Sequence, residues 1–178
     1  MEVITTQIFK AHLGELILGS YRDQLCLCDW RFRKMRIAID KRIQKGLDAA
    51  YEEGDTTIIQ IAKNQLNEYF DGEREEFDIP LKMVGTSFQQ RIWNELLKIP
   101  YGKTETYLGI SQKINNVKAI RAVAAANGAN AISIIIPCHR IIGSKGEMIG
   151  YGGGLNVKRK LLQLESKTPE QLPLFNNM

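Results

Sequence analysis

Cys138, His139 and Arg140 stand in a row, framed by Ile134-Ile135-Ile136-Pro137 on one side and Ile141-Ile142 on the other. So apolar a run is expected to lie in a buried strand or extended segment. The polar trio is then at least partly buried and must find partners there. Pro137 biases Ile136 toward an extended backbone and helps to aim Cys138. A thiol is a poor nucleophile until it loses its proton, and nearby cations or a helix N-terminus lower its pKa from about 8.5. A lone cysteine is more often a small apolar core residue; its His and Arg neighbours favour chemistry here. Glu165 falls near the C-terminus of an expected helix over 156–165, where the dipole disfavours a carboxylate. It needs a partner, and His139 is the candidate. Glu165, His139 and Cys138 would then form an activated-nucleophile set. Side chains adjacent in an extended segment point apart, so a water between Cys138 and His139 fits better than direct transfer. Between them lies Gly150-Tyr151-Gly152-Gly153-Gly154-Leu155. Such glycines let backbone approach a flat ligand closely, and their N–H groups could donate to a substrate oxygen.

The elements that must position these residues fall into two parts. Up to about Trp30 the pattern is strand-like: Leu16 and Leu18, then Leu25 and Leu27, alternate at period two. Residues 31–36 form a basic cluster, Arg31 to Arg36 with Phe32 and Met35 inside it, read as a solvated loop or helix face. Ile58, Ile61, Ala62, Leu66 and Tyr69 or Phe70 line one side of a helix over 57–70, capped by Thr56 or Asp55. An acidic surface connection, 71–80, ends at Pro80. Thr86 or Ser87 caps a helix carrying Phe88, Ile92, Leu96 and Leu97 and closing before Pro100. Thr106 caps a short helix over 107–114, and Asn115-Asn116 is a turn. A further helix over 117–127 is expected to pack Val117, Ile120 and Val123 or Ala124 on the core. It would present Lys118, Arg121, Ala122 and Ala125 outward. Two short helices joined by a tight turn resemble a helix-turn-helix, and small residues around cations suit DNA contact. In the last helix Val157, Leu161 and Leu164 make the buried stripe. The fold expected is α/β in the α+β sense. A small N-terminal mixed α/β domain (1–84) has a supporting role. A mainly helical, winged-helix-like C-terminal domain (85–166) follows, with a tail at 167–178.

Charge divides along the same line. Residues 1–85 hold 12 basic and 15 acidic side chains, a net of −3; residues 86–178 hold 12 and 5, a net of +7. A basic half points to an anionic partner, and nucleic acid is the commonest. No apolar run approaches the roughly 20 residues of a membrane helix, and no signal peptide is evident. Cys26, Cys28 and Cys138 are too few for a disulfide framework, so a reducing cytoplasm is expected.

With these residues in place, the chain resembles the O6-alkylguanine-DNA alkyltransferases (methylated-DNA–protein-cysteine methyltransferases). The likeness rests on Pro137-Cys138-His139-Arg140, Gly150-Tyr151-Gly152-Gly153-Gly154-Leu155 and the helix ending at Glu165, and covers about residues 84–166. It implies that Cys138 accepts the alkyl group, that His139 is the base through a bridging water, and that Glu165 holds His139. It implies that Asn130 braces the active-site turn. Tyr107 helps flip the nucleotide and donates toward the guanine ring, and Arg121 fills the space the base leaves. The recognition helix would enter the minor groove, with Tyr151, Gly152, Gly153 and Arg140 at the substrate pocket. The implied partner is double-stranded DNA carrying O6-alkylguanine, and also O4-methylthymine, met by a monomer with no cofactor. Each molecule would act once, because a thioether has no easy hydrolytic exit. Some members bind zinc in the N-terminal domain; His12, Cys26 and Cys28 lack that spacing, so no metal is expected. Ala124 stands where the family often has glycine, and Ala131 where it often has proline.

Two other readings compete. One is a non-catalytic helix-turn-helix protein that recognises alkylated DNA, against which Cys138, His139 and Glu165 all count. The other is a cysteine hydrolase, which would turn over where an alkyl acceptor would not.

Overall fold

The computed structural model describes residues 1–166; the expected tail at 167–178 lies outside them. The chain opens with β1 (Glu2–Ala11), β2 (Gly14–Tyr21) and β3 (Gln24–Trp30), two antiparallel hairpins. Gly14 (φ 144°) and Arg22 (φ 43°) take positive φ at the two turns. The period-two pattern holds for Leu16 and Leu18, which share one face; on β3 a register shift opposite Gly19 and Ser20 sends Leu25 and Leu27 to opposite faces, both fully buried.

Sequence periodicity missed the next two elements, α1 (Arg36–Leu47) and β4 (Ala49–Glu53). The first buries only Ile39, Ile43 and Leu47, a stripe too thin to stand out among its charges. The second pairs parallel with β1, giving a sheet of order β3-β2-β1-β4. Next, α2 (Thr57–Phe70) starts where the Thr56 hydroxyl accepts from the Ile59 N–H. The two helices cover opposite faces of the sheet. Ile39 and Ile43 pack with Ile4 and Leu27; Ile59 and Leu66 pack with Leu16, Leu18 and Leu25.

The C-terminal part is helical, as expected. In α3 (Ser87–Leu96), Thr86 and Gln89 form a reciprocal capping box. The two-residue strand β5 (Glu105–Thr106) leads into α4 (Tyr107–Lys113), capped by Thr106. A turn with Asn115 in the left-handed region then leads through a 3-10 turn, Val117–Ala119, into α5 (Ile120–Gly128). The expected single helix over 117–127 is thus two pieces, and the tighter 3-10 pitch shifts the phase. Val117 and Ile120, expected in the core, are 54% and 39% exposed; Val123 is buried as expected, and Ala126 and Asn127 join it. Finally come β6 (Ile141–Ile142), parallel to β5, and α6 (Leu155–Glu165).

One core joins the two parts: Leu18, Leu25, Cys28 and Trp30 of the sheet cluster with Ile92, Ile132, Ile136 and Leu161. A backbone seam reinforces it. On the edge strand β3, the Cys28 N–H donates to the Ala131 carbonyl (2.9 Å) and the Cys28 carbonyl accepts from the Ser133 N–H (2.6 Å). A free sheet edge invites wrong partners; here it is covered by the chain just before Cys138.

Candidate active site

The Ile134–Ile142 run is not the extended segment its apolarity suggests. Ile134 has φ 72°, a costly conformation for a β-branched residue, and Cys138–Arg140 form a 3-10 turn. Only Ile141–Ile142 are strand. Side-chain bonds over-determine this turn. Asn130 Nδ2 donates to the Ile136 carbonyl (2.9 Å) and its Oδ1 accepts from the Ile132 N–H (2.9 Å). Ser133 Oγ donates to Asp29 (2.9 Å).

The turn sets His139, which is fully buried, against Glu165. His139 Nε2 lies 2.7 Å from Glu165 Oε1. The carboxylate also accepts from Tyr69 Oη (2.7 Å) and from Arg140 Nε and Nη2 (2.8 and 2.9 Å). Burial alone would raise the Glu165 pKa, but His139 and Arg140 together hold it well below the usual carboxylate range. Burial pushes His139 down, against the pull of Glu165. The resting pair is therefore a carboxylate and a neutral imidazole. The proton sits on Nε2, facing Oε1, and the Nδ1 lone pair is left to accept. Nδ1 makes no hydrogen bond among the described residues.

Cys138 is buried and lines a cavity of 570 Å³. Burial pushes its thiol up, opposed by Asn130, so it rests protonated and needs a base. The cavity is walled by Tyr107, by Ala124, Asn127 and Gly128 of α5, by Gly150–Gly154, and by Phe32–Met35 of the N-terminal part. Tyr107 Oη donates to the Ile149 carbonyl (3.3 Å).

Cys138, Tyr107, Tyr151, Gly152 and Gly153 thus meet at one cavity, with His139, Glu165 and Asn130 behind it. Arg140 does not join them. Expected at the pocket, it lies buried on the far side, where Glu165 and the Ile99 carbonyl (2.7 Å) hold its guanidinium. Lys118, Arg121, Ala122 and Ala125 are exposed around the start of α5 and do not line the cavity.

Several residues escaped sequence reasoning. Lys158 is fully buried, its ammonium donating to the carbonyls of Ile141, Ile149 (2.9 Å) and Gly150 (3.3 Å). Burial lowers its pKa to about 8. It ties the glycine loop to α6. The buried stripe of that helix is Lys158, Leu161, Leu162 and Glu165; of the expected Val157, Leu161 and Leu164, Leu161 is fully buried and the other two only partly. The i, i+3, i+4, i+7 spacing of those four was the available signal. The basic cluster is only in part the solvated face expected: Phe32, Lys34 and Met35 are exposed, but Arg33 and Arg36 turn inward. Arg33 donates to Asp29 (3.1 Å) and to the carbonyls of Asn130 (3.1 Å) and Gly128 (2.5 Å), and Arg36 joins the same carboxylate (2.9 Å). Trp30 Nε1 donates to Tyr151 Oη (3.0 Å). A Cβ on Gly153 would stand 2.8 Å from the Trp30 ring, and one on Gly152 2.8 Å from the Arg33 guanidinium, so glycine is required where the loop touches the N-terminal part.

Fold and site together define a class: a sheet domain joined to a helix-turn-helix domain, with a thiol lining a cavity beside the second helix and, next to it in the chain, an imidazole held by a buried carboxylate. Comparison with known proteins agrees. Residues 7–83 match the 6-O-methylguanine DNA methyltransferase ribonuclease-like domain, and 87–167 match the DNA binding domain of the same family. The chain belongs to the 6-O-methylguanine DNA methyltransferase family. Relatives named methylated-DNA–protein-cysteine methyltransferase include one from Methanosarcina barkeri, 51% identical over 158 residues (89% of this chain, 94% of the relative). One from Mycobacterium bovis is 55% identical over 116 residues (65% of this chain, 70% of the relative). Among solved structures, the OGT of Mycobacterium tuberculosis in complex with DNA aligns with TM-score 0.76 at 40% identity, over 92% of each chain.

Proposed function

We propose that this chain is a methylated-DNA–protein-cysteine methyltransferase, a DNA repair protein that moves an alkyl group from O6 of guanine to its own Cys138. The observation that supports the reading is the Glu165–His139 hydrogen bond set directly beside Cys138 in the chain, where Cys138 lines a cavity flanked by a helix-turn-helix. Glu165 keeps the Nε2 proton of His139 in place. The free Nδ1 takes the Cys138 proton through a water. The thiolate attacks the alkyl carbon, a C–S bond forms, and the C–O bond breaks. Its electron pair passes to the guanine O6 and ring, which takes up a proton; the Tyr107 hydroxyl is the donor facing the cavity. The glycine-loop N–H groups near Tyr151 and Gly152 steady the leaving oxygen. The product thioether is inert to water, so each molecule acts once.

Reaching O6 requires the nucleotide to leave the duplex, at a cost of a few kcal/mol, least for a damaged base. Arg121, exposed on α5, would fill the space left behind, with Lys118 on phosphate and Ala122 and Ala125 letting the backbone close on the minor groove. The protein would act as a monomer in the cytoplasm; no described helix is long and apolar enough to cross a membrane. Intact-protein mass after incubation with duplex DNA carrying O6-methylguanine tests the reading. It requires a gain of one methyl group, saturating at one per protein and absent in Cys138→Ser. Tight binding with no gain would leave a damage-recognition protein instead.

A further inference from the structure

We infer that the loop 31–35 of the N-terminal domain is a second DNA-contacting element, gripping the strand beside the extruded nucleotide through Phe32 and Lys34. This rests on the function proposed above. Phe32–Met35 form one wall of the cavity, and Tyr107 and the C-terminal end of α5 form others. A base lodged against Cys138 leaves its own sugar and flanking phosphates at the mouth, within reach of both.

The loop is built to hold still while offering two side chains. Arg33 turns inward and is locked by Asp29, Gly128 and Asn130. Arg36 is locked by Asp29 and Asp40, and Arg31 is held by Glu15 (2.7 Å). The neighbours of Arg33 point the other way. Phe32 is 80% exposed, with the Arg31 guanidinium 5.0 Å from its ring centroid. Lys34 is exposed and pairs with no carboxylate among the described residues. A fixed loop has already lost the conformational freedom that binding would otherwise cost. A water-exposed aromatic ring beside an unpaired cation suits a nucleotide, through ring contact and phosphate charge. The charge distribution also singles out this place. Residues 1–85 are net acidic, yet four cations fall within 31–36.

Phe32→Ala and Lys34→Ala test this, because both residues are exposed and neither holds the loop. The probes are a duplex carrying one O6-methylguanine, titrated by anisotropy at several salt concentrations, and free O6-benzylguanine, which has no phosphate. Lys34→Ala is expected to weaken duplex binding and to reduce the slope of log affinity against log salt by roughly 0.9. Phe32→Ala is expected to weaken it roughly tenfold with the slope unchanged. In both variants, transfer from duplex should fall more than transfer from the free base. Unaltered duplex affinity and slope, or equal losses on both substrates, would overturn the inference. Wild-type protein that neither binds the duplex nor gains a methyl group would sink the underlying function instead.

Discussion

Glu165 has several jobs at once: it orients His139, fixes its tautomer and neutralises the buried Arg140. Glu165→Gln would leave that guanidinium uncompensated, a loss on the order of 3–5 kcal/mol, and slow transfer by about 100-fold or more. Its pH signature has a definite sign. The folded carboxyl is held below its ordinary value of 4.5. Its stabilisation is therefore complete above that pH and is lost as pH falls below it. Urea denaturation over a pH series should show a flatter acid limb for Glu165→Gln than for wild type. Burial holds His139 below its ordinary 6.5, so it stays neutral, and able to accept a proton, at and below that pH. The single-turnover rate should stay level down through pH 6.5 and fall only under it; a midpoint at or above 6.5 would contradict this assignment.

At the scale of elements, the catalytic turn is held by what lies under it. The edge of β3 carries Ala131–Ser133, and Asn130 ties both ends of the turn. Asn130→Ala would strand the buried Ile132 N–H, costing about 1–3 kcal/mol, and leave the Ile136 carbonyl to the Cys138 N–H alone. Because the turn is also strained at Ile134, thermal unfolding and transfer rate should fall together. The glycine loop is held against Trp30. Gly153→Ala would drive a methyl group into that ring and displace Tyr151 from the cavity. Transfer from O6-methylguanine should slow severalfold or more, and single-turnover assays would show whether it does. The helix-turn-helix was legible in sequence because Thr106 and the Asn115-Asn116 turn punctuate it. The phase of α5 was legible for Val123, which is buried, and for Arg121, Ala122 and Ala125, which are exposed; it failed at Val117 and Ile120, where a 3-10 turn replaces the first helical turn.

For the whole molecule, Asp29 links the two halves. It accepts from Arg33 and Arg36 on one side and from Ser133 on the other, and Arg33 reaches on to Gly128 and Asn130. Asp29→Ala would leave the Arg33 guanidinium with no carboxylate and Arg36 with Asp40 alone, a cost of about 3–5 kcal/mol. It should lower Tm and the transfer rate together although Asp29 never reaches the cavity. From the N-terminal domain, Trp30 and Arg33 set the backs of Tyr151, Gly152 and Gly153. At this scale the basic charge of residues 86–178 predicts DNA affinity that falls steeply with salt, measurable by titration at 50 and 200 mM.

By itself the sequence determined whatever depends on near neighbours in the chain. Alternating leucines marked the strands before Trp30, caps marked the starts of α2, α3 and α4, and Cys138-His139-Arg140 marked the chemistry. Glu165 could be matched to His139 because its place at a helix end made it need a cation. Tertiary structure alone decided what depends on distant partners. Arg140 had the residue type for a pocket, but a carboxylate and the Ile99 carbonyl lay on the other side of the turn. Arg33 looked solvated until Asp29 and the carbonyls of Gly128 and Asn130 converged on it. Lys158 could be buried because folding brings three carbonyls to its ammonium. A charged side chain goes where its charge is best compensated, and the compensating groups come from far along the chain.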